Sequence, residues 1–109
     1  MTNVTIIKKQ NLITQIICDG HTNFGVSGED IVCSALSSIV QTAALGVLAV
    51  AGVNAEIERN EKRGYLSLKL PCNVPEGQMH DAQVILQTML LGVQDLHEGY
   101  SDFVEIEIK

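Results

Sequence analysis

Twelve positions separate His21 from Cys33, and the stretch between them carries Gly25 and Gly28. An imidazole and a thiol form the simplest pair for nucleophilic catalysis: the ring takes the thiol proton, and the sulfur attacks a carbonyl carbon. A cysteine in the early turns of a helix gains further, because the helix dipole favours the thiolate. Asp30, Cys33 and Ser37 stand at i−3, i and i+4, which puts all three on one helical face. Ser37 can then donate toward a developing oxyanion, and Asp30 can orient His21. Each residue also has a plainer role. Asp30 suits a helix start as a dipole partner, Ser37 suits a hydrogen bond back to the preceding turn, and Cys33 suits a small buried apolar position. A zinc site is a further alternative. Cys18, His21 and Cys33 would supply three ligands, with Cys72, His80 or an Asp as the fourth.

The elements that must position these residues are legible in the alternation of side chains. Residues 1–9 alternate, with Val4 and Ile6 facing one way and Thr5 and Ile7 the other. Residues 12–18 are again rich in β-branched types, so the two runs read as a hairpin. Asp19-Gly20 breaks the second strand, and Thr22, Asn23, Phe24, Gly25, Val26, Ser27 and Gly28 read as a mobile loop. Ser27 with Asp30 resembles a helix-opening pair. The following stretch, 31–55, holds no charged residue. It is long enough to cross a bilayer. Its polar first half (Ser34, Ser37, Ser38, Gln41, Thr42) and acidic flanks argue instead for a core helix, ending near residues 51–52. Its apolar second half, 43–50, predicts burial on more than one side and hence a share in a homodimer interface.

Residues 54–59 and 65–70 read as two short strands around a polar turn, with Leu66, Leu68 and Leu70 on one face. A second helix is expected over 78–97, with Ala82, Ile85, Met89, Val93 and Leu96 inward and Gly99 as its stop. A last strand is expected over 102–108. The order β-β-α-β-β-α-β predicts an α+β fold: one largely antiparallel sheet packed against two helices, in a single domain over 1–109.

Composition excludes several classes. Seven Lys+Arg against 13 Asp+Glu give a formal net charge of −6, which is no nucleic-acid footprint. Two Phe, two Tyr and no Trp are a poor stacking platform for bases. No phosphate-binding Gly-rich loop ending in Lys-Ser/Thr occurs. The N-terminal residues do not read as a signal peptide. Three cysteines cannot all pair within one chain, so free thiols in a reducing cytoplasm are expected.

Gly20-His21, a glycine-bearing loop, and then Gly28-Glu29-Asp30-Ile31-Val32-Cys33-Ser34-Ala35-Leu36-Ser37 together resemble the signature of the ribosomal-processing cysteine protease (Prp) family of bacteria. The likeness extends over nearly the whole chain. It implies a catalytic dyad of His21 and Cys33, a mobile loop between them, a homodimer, and no cofactor or metal. It implies as substrate a large-subunit ribosomal protein precursor, whose N-terminal extension is removed at a Phe-Phe segment. Thr22 and Ser34 stand where family members often carry Ala. Beside this reading stands a non-catalytic, dimeric ribosome-associated adaptor, which would need no reactive Cys33.

Overall fold

The structure is a computed structural model that describes residues 2–20 and 27–109, with backbone alone over 27–30. The element order is β1 (Thr2–Lys9), β2 (Leu12–Asp19), α1 (Ser27–Ala49), β3 (Glu56–Asn60), β4 (Tyr65–Lys69), α2 (Glu76–Gly99) and β5 (Val104–Ile108). The five strands form one sheet in the order β3-β4-β2-β1-β5. Every neighbouring pair is antiparallel except β1 and β5, which run parallel. This is the α+β arrangement that the sequence predicts.

The β1–β2 hairpin turns at Gln10 and Asn11, both with positive φ (51° and 68°). That is the handedness of the tight turn that suits twisted strands. Further along, the pairing steps from Ile7↔Gln15 to Lys8↔Ile13, leaving Thr14 as an extra residue. The bulge resets the alternation. Ile13 and Ile16, three apart, are therefore both fully buried on the inner face. Thr14 Oγ1 donates to the Ile7 carbonyl at 3.2 Å across the irregularity.

The inner face of the sheet presents Val4, Ile6, Ile16, Cys18, Leu66, Leu68 and Val104, all buried. Both helices contribute to the same core. From α1 come Val32, Leu36, Val40, Ala43, Ala44 and Val47, at three- and four-residue spacing. Burying each of the larger aliphatic side chains contributes roughly 1.5–3 kcal/mol. The stretch Ile31–Ala49 is long and apolar enough to span a membrane, yet this inner stripe is core. From α2 come Ala82, Leu86, Met89, Leu90 and Val93. The expected stripe is thus rotated slightly: Leu86 and Leu90 are buried, and Ile85 is only half-buried. The cause is the neighbouring helix. Ile85 lies over Gly46 of α1, 3.4 Å from where a Cβ there would stand, and Ile39 of α1 lies over Gly92 at 3.5 Å. Ile85 is thus spent on the helix–helix contact and Leu86 on the sheet.

Several boundaries differ from the sequence reading. Helix α1 includes Ser27 and Gly28, which the sequence reading assigns to the loop. It closes at Ala49, and Gly52 follows with a φ of +69°. Helix α2 runs through Gly99 rather than stopping there. The Tyr100 amide caps it by donating to the Leu96 and His97 carbonyls at 3.0 and 3.3 Å. Cys72 is exposed because the segment after β4 leaves the sheet. One buried polar group ties α2 to the sheet. Gln83 Oε1 accepts from the Ile13 amide at 2.9 Å, and its Nε2 donates to the Ile13 carbonyl at 2.7 Å. The β2–β4 pairing stops at Gln15↔Lys69, so Ile13 has no strand partner on that side. The Gln83 amide supplies the missing bonds.

Candidate active site

Five chain segments converge at one end of the sheet: the start of β1, the end of β2, the early turns of α1, the end of β3 and the start of β4. The register brings this about, since Asn3 pairs with Asp19, Cys18 with Leu66 and Asn60 with Tyr65. Between them lies a pocket of about 530 Å³. One wall is helical, with Cys33, Ser37 and Gln41 at four-residue steps and Ser34 beside them; the floor includes Thr2, Cys18 and Gly20. The opposite wall is Arg59, Asn60, Glu61, Gly64 and Tyr65.

Cys33 is half-buried. Its Sγ lies 3.2 Å from Thr2 Oγ1. The same hydroxyl donates to the Gly20 carbonyl at 2.8 Å. Gly20 has a φ of +100°, which a residue bearing a Cβ rarely adopts, and His21 follows it in the chain. One buried hydroxyl therefore links the sulfur to the residue that precedes the histidine. Ser37 shares the pocket and is half-buried, as a residue one turn beyond Cys33 must be. His21, Thr22, Asn23, Phe24, Gly25 and Val26, and the side chain of Asp30, lie outside the described residues.

The three thiols sit in different surroundings. Cys18 is 5% exposed, and burial pushes its thiol up from an ordinary value near 9 to about 12. It behaves as a small apolar residue of the core. Cys72 is exposed and away from the pocket. Cys33 alone joins partial exposure to a position in the first turns of a helix. Among the described residues no three His, Cys, Asp or Glu side chains gather as metal ligands. The zinc alternative depends on His21, outside them.

Charged groups rim the opposite wall. Arg59 pairs with Glu61 at 2.8 Å, and Arg63 with Asp19 at 3.0 Å. The Arg63 guanidinium also lies 4.8 Å from the Tyr65 ring centroid. Both ion pairs are exposed and contribute little to stability. Of these charged groups, Arg59 and Glu61 also line the pocket. Sequence reasoning misses Thr2, because nothing local connects residue 2 to residue 33. Gln41 had a signal, the four-residue polar step from Cys33 through Ser37.

An α+β domain thus holds a half-buried thiol on the wall of an open pocket, where a bound substrate can reach the sulfur. A family model for cysteine protease Prp matches residues 1–105, and the chain belongs to that family of cysteine proteases. The ribosomal processing cysteine protease Prp of Staphylococcus aureus is 25% identical over 103 residues, covering 94% of this chain and 93% of that protein. The protein of the same name from Bacillus subtilis is 25% identical over 87 residues, covering 80% and 78%. The fold matches the crystal structure of S. aureus Prp in complex with a substrate peptide over 100% of both chains, with a TM-score of 0.87 and 25% identity. It also matches that enzyme with a covalently linked product peptide, with a TM-score of 0.84, 26% identity and the same full coverage. SMU.848 from Streptococcus mutans superposes with a TM-score of 0.88 at 25% identity, over 99% of this chain and 93% of that one.

Proposed function

We propose that this cysteine protease removes the N-terminal extension of a large-subunit ribosomal protein precursor, with His21 and Cys33 as its dyad. The observation that carries the reading is the shared hydroxyl: Thr2 Oγ1 contacts both Cys33 Sγ and the carbonyl of Gly20, the residue just before His21. Gly20 thus lies a single hydroxyl away from the sulfur.

His21 takes the Cys33 proton, and the sulfur attacks the scissile carbonyl carbon. Helix N-terminal amides, helped by Ser37, stabilise the oxyanion. Asp30 orients the imidazole. His21 then protonates the leaving amine as the C–N bond breaks, and water hydrolyses the acyl-enzyme. The S. aureus relative carrying a covalently linked product peptide supports a covalent route. A net charge of −6 suits a basic precursor through electrostatic steering.

The enzyme acts in the cytoplasm as a homodimer. The outer side of the helix pair supports a second copy as its cover. Leu45 is 66% exposed, Val50 79% and Val84 54%. Val50 and Val84 border an apolar hollow of about 610 Å³ between the helices, which Gly46 and Ile85 also line. Residues 31–55 carry no charge, so two copies of an acidic chain can meet there without like-charge repulsion.

The decisive experiment incubates a peptide bearing a Phe-Phe segment with wild type, Cys33→Ala and His21→Ala. Wild type cleaves it, and each variant loses at least about a thousand-fold in rate, as loss of a nucleophile or its base does. Equal cleavage by all three would falsify the dyad.

A further inference from the structure

The Thr2 hydroxyl owns one proton, and that proton is committed to the Gly20 carbonyl at 2.8 Å. Toward Cys33 Sγ, 3.2 Å away, the oxygen therefore acts as acceptor, and the thiol S–H donates to it. Once the S–H bond breaks and its proton leaves to the base, this arrangement no longer holds. A thiolate has nothing to donate, and the oxygen's lone pair would face its negative charge. Rotation about the Thr2 Cβ–Oγ1 bond brings the hydroxyl hydrogen round to the sulfur and releases the Gly20 carbonyl. Gly20 is half-buried and borders the open pocket, so water can take over its carbonyl. A hydrogen bond to an anion is roughly twice as strong as one between neutral groups, so the exchange favours ionisation.

We propose that Thr2 is a positioning residue whose hydroxyl turns from the Gly20 carbonyl to the Cys33 sulfur when the thiol ionises, coupling the charge of the nucleophile to the backbone carbonyl of Gly20. It deepens the dyad reading and rests on Cys33 as the nucleophile. Thr2 suits the task because it is held on all sides. It is 3% exposed, and its amide donates to the Phe103 carbonyl at 2.9 Å. It cannot drift from the sulfur, whereas a hydroxyl on a loop could. Among the described residues, the titratable or charged groups that line the pocket beside Cys33 are Cys18 on β2, Arg59 on β3, Glu61 in the turn after it and Tyr65 on β4. Asp19, next to Gly20, is held by Arg63. A Thr2 substitution leaves all of these in place, so a comparison of variants isolates the hydroxyl.

The test is the rate of Cys33 alkylation by iodoacetamide against pH, read by mass spectrometry on the Cys33 peptide, for wild type, Thr2→Val and Thr2→Ser. Valine keeps the shape and strand preference of threonine and loses the hydroxyl. In Thr2→Val the rising limb moves to higher pH, with alkylation about ten-fold slower on that limb; Thr2→Ser follows the wild type. A Val profile that overlies the wild type, or moves to lower pH, overturns the proposal. Circular dichroism melting confirms that each variant is folded. Should Thr2→Val not fold, the infrared S–H stretch in the wild-type minus Cys33→Ala difference spectrum decides. A band at the position of a hydrogen-bonded thiol supports the coupling, and one at the position of a free thiol overturns it. Alkylation reads the sulfur directly, so peptide cleavage that survives Cys33→Ala removes the dyad reading while leaving the coupling to stand or fall by its own result.

Discussion

Cys18 and Cys33 border one pocket, yet burial separates their chemistry. The Cys18 thiol is raised to about 12 because the folded protein offers its charged form no solvation. In the unfolded chain the same thiol ionises near 9. Below that pH both states hold the proton, and the group has no effect on stability. Above it the unfolded state loses its proton first, so stability falls as pH rises toward the folded value. Between pH 9 and 11 the loss attributable to Cys18 is about 2 kcal/mol. Urea unfolding of wild type and Cys18→Ala over that range measures it, and parallel decline of the two proteins would sink the assignment. At this scale the sequence is partly legible. Cys33 and Ser37 stand out because a helix fixes their spacing, and both line the pocket. Thr2 does not, because its contact spans 31 positions and exists only once β1 and α1 are packed.

At the scale of elements, the order and type of every strand and helix follow from alternation and three-to-four-residue spacing. What escapes is where partners act on an element from outside. The α2 stripe is shifted because Ile85 meets a glycine of α1, and no periodicity within α2 reveals that. Gln83 escapes in the same way. On the helix it reads as a polar surface residue, but β4 ends one step too early to pair with Ile13, and the amide fills that place. Gln83→Leu keeps the volume and removes both bonds, leaving a buried N–H and C=O without partners. The expected cost is about 3 kcal/mol in urea unfolding. A change under about 0.5 kcal/mol, the range of ordinary surface substitutions, would show that water serves Ile13 equally well.

At the scale of the molecule, the two faces of the fold differ in character. The outer face of the sheet carries Glu58, Lys69, Gln15, Thr5 and Glu107 across its strands, while the outer face of the helix pair carries Leu45 and Val50. The proposed dimer uses the second. Leu45→Glu places a charge at its centre without touching the pocket, and sedimentation at micromolar concentration should show a shift from dimer to monomer with the melting curve of the monomer retained. A wild type that sediments as a monomer ends that proposal. The parallel pairing of β1 with β5 has a different consequence, one of timing. Thr2 donates its amide to Phe103 and lies opposite Val104, so the floor beneath the reactive sulfur is fastened by residues about a hundred positions downstream. While the chain emerges from a ribosome, β1 and β2 can already form their hairpin and α1 can already cover it. The thiol still lacks its anchored neighbour until the last strand docks.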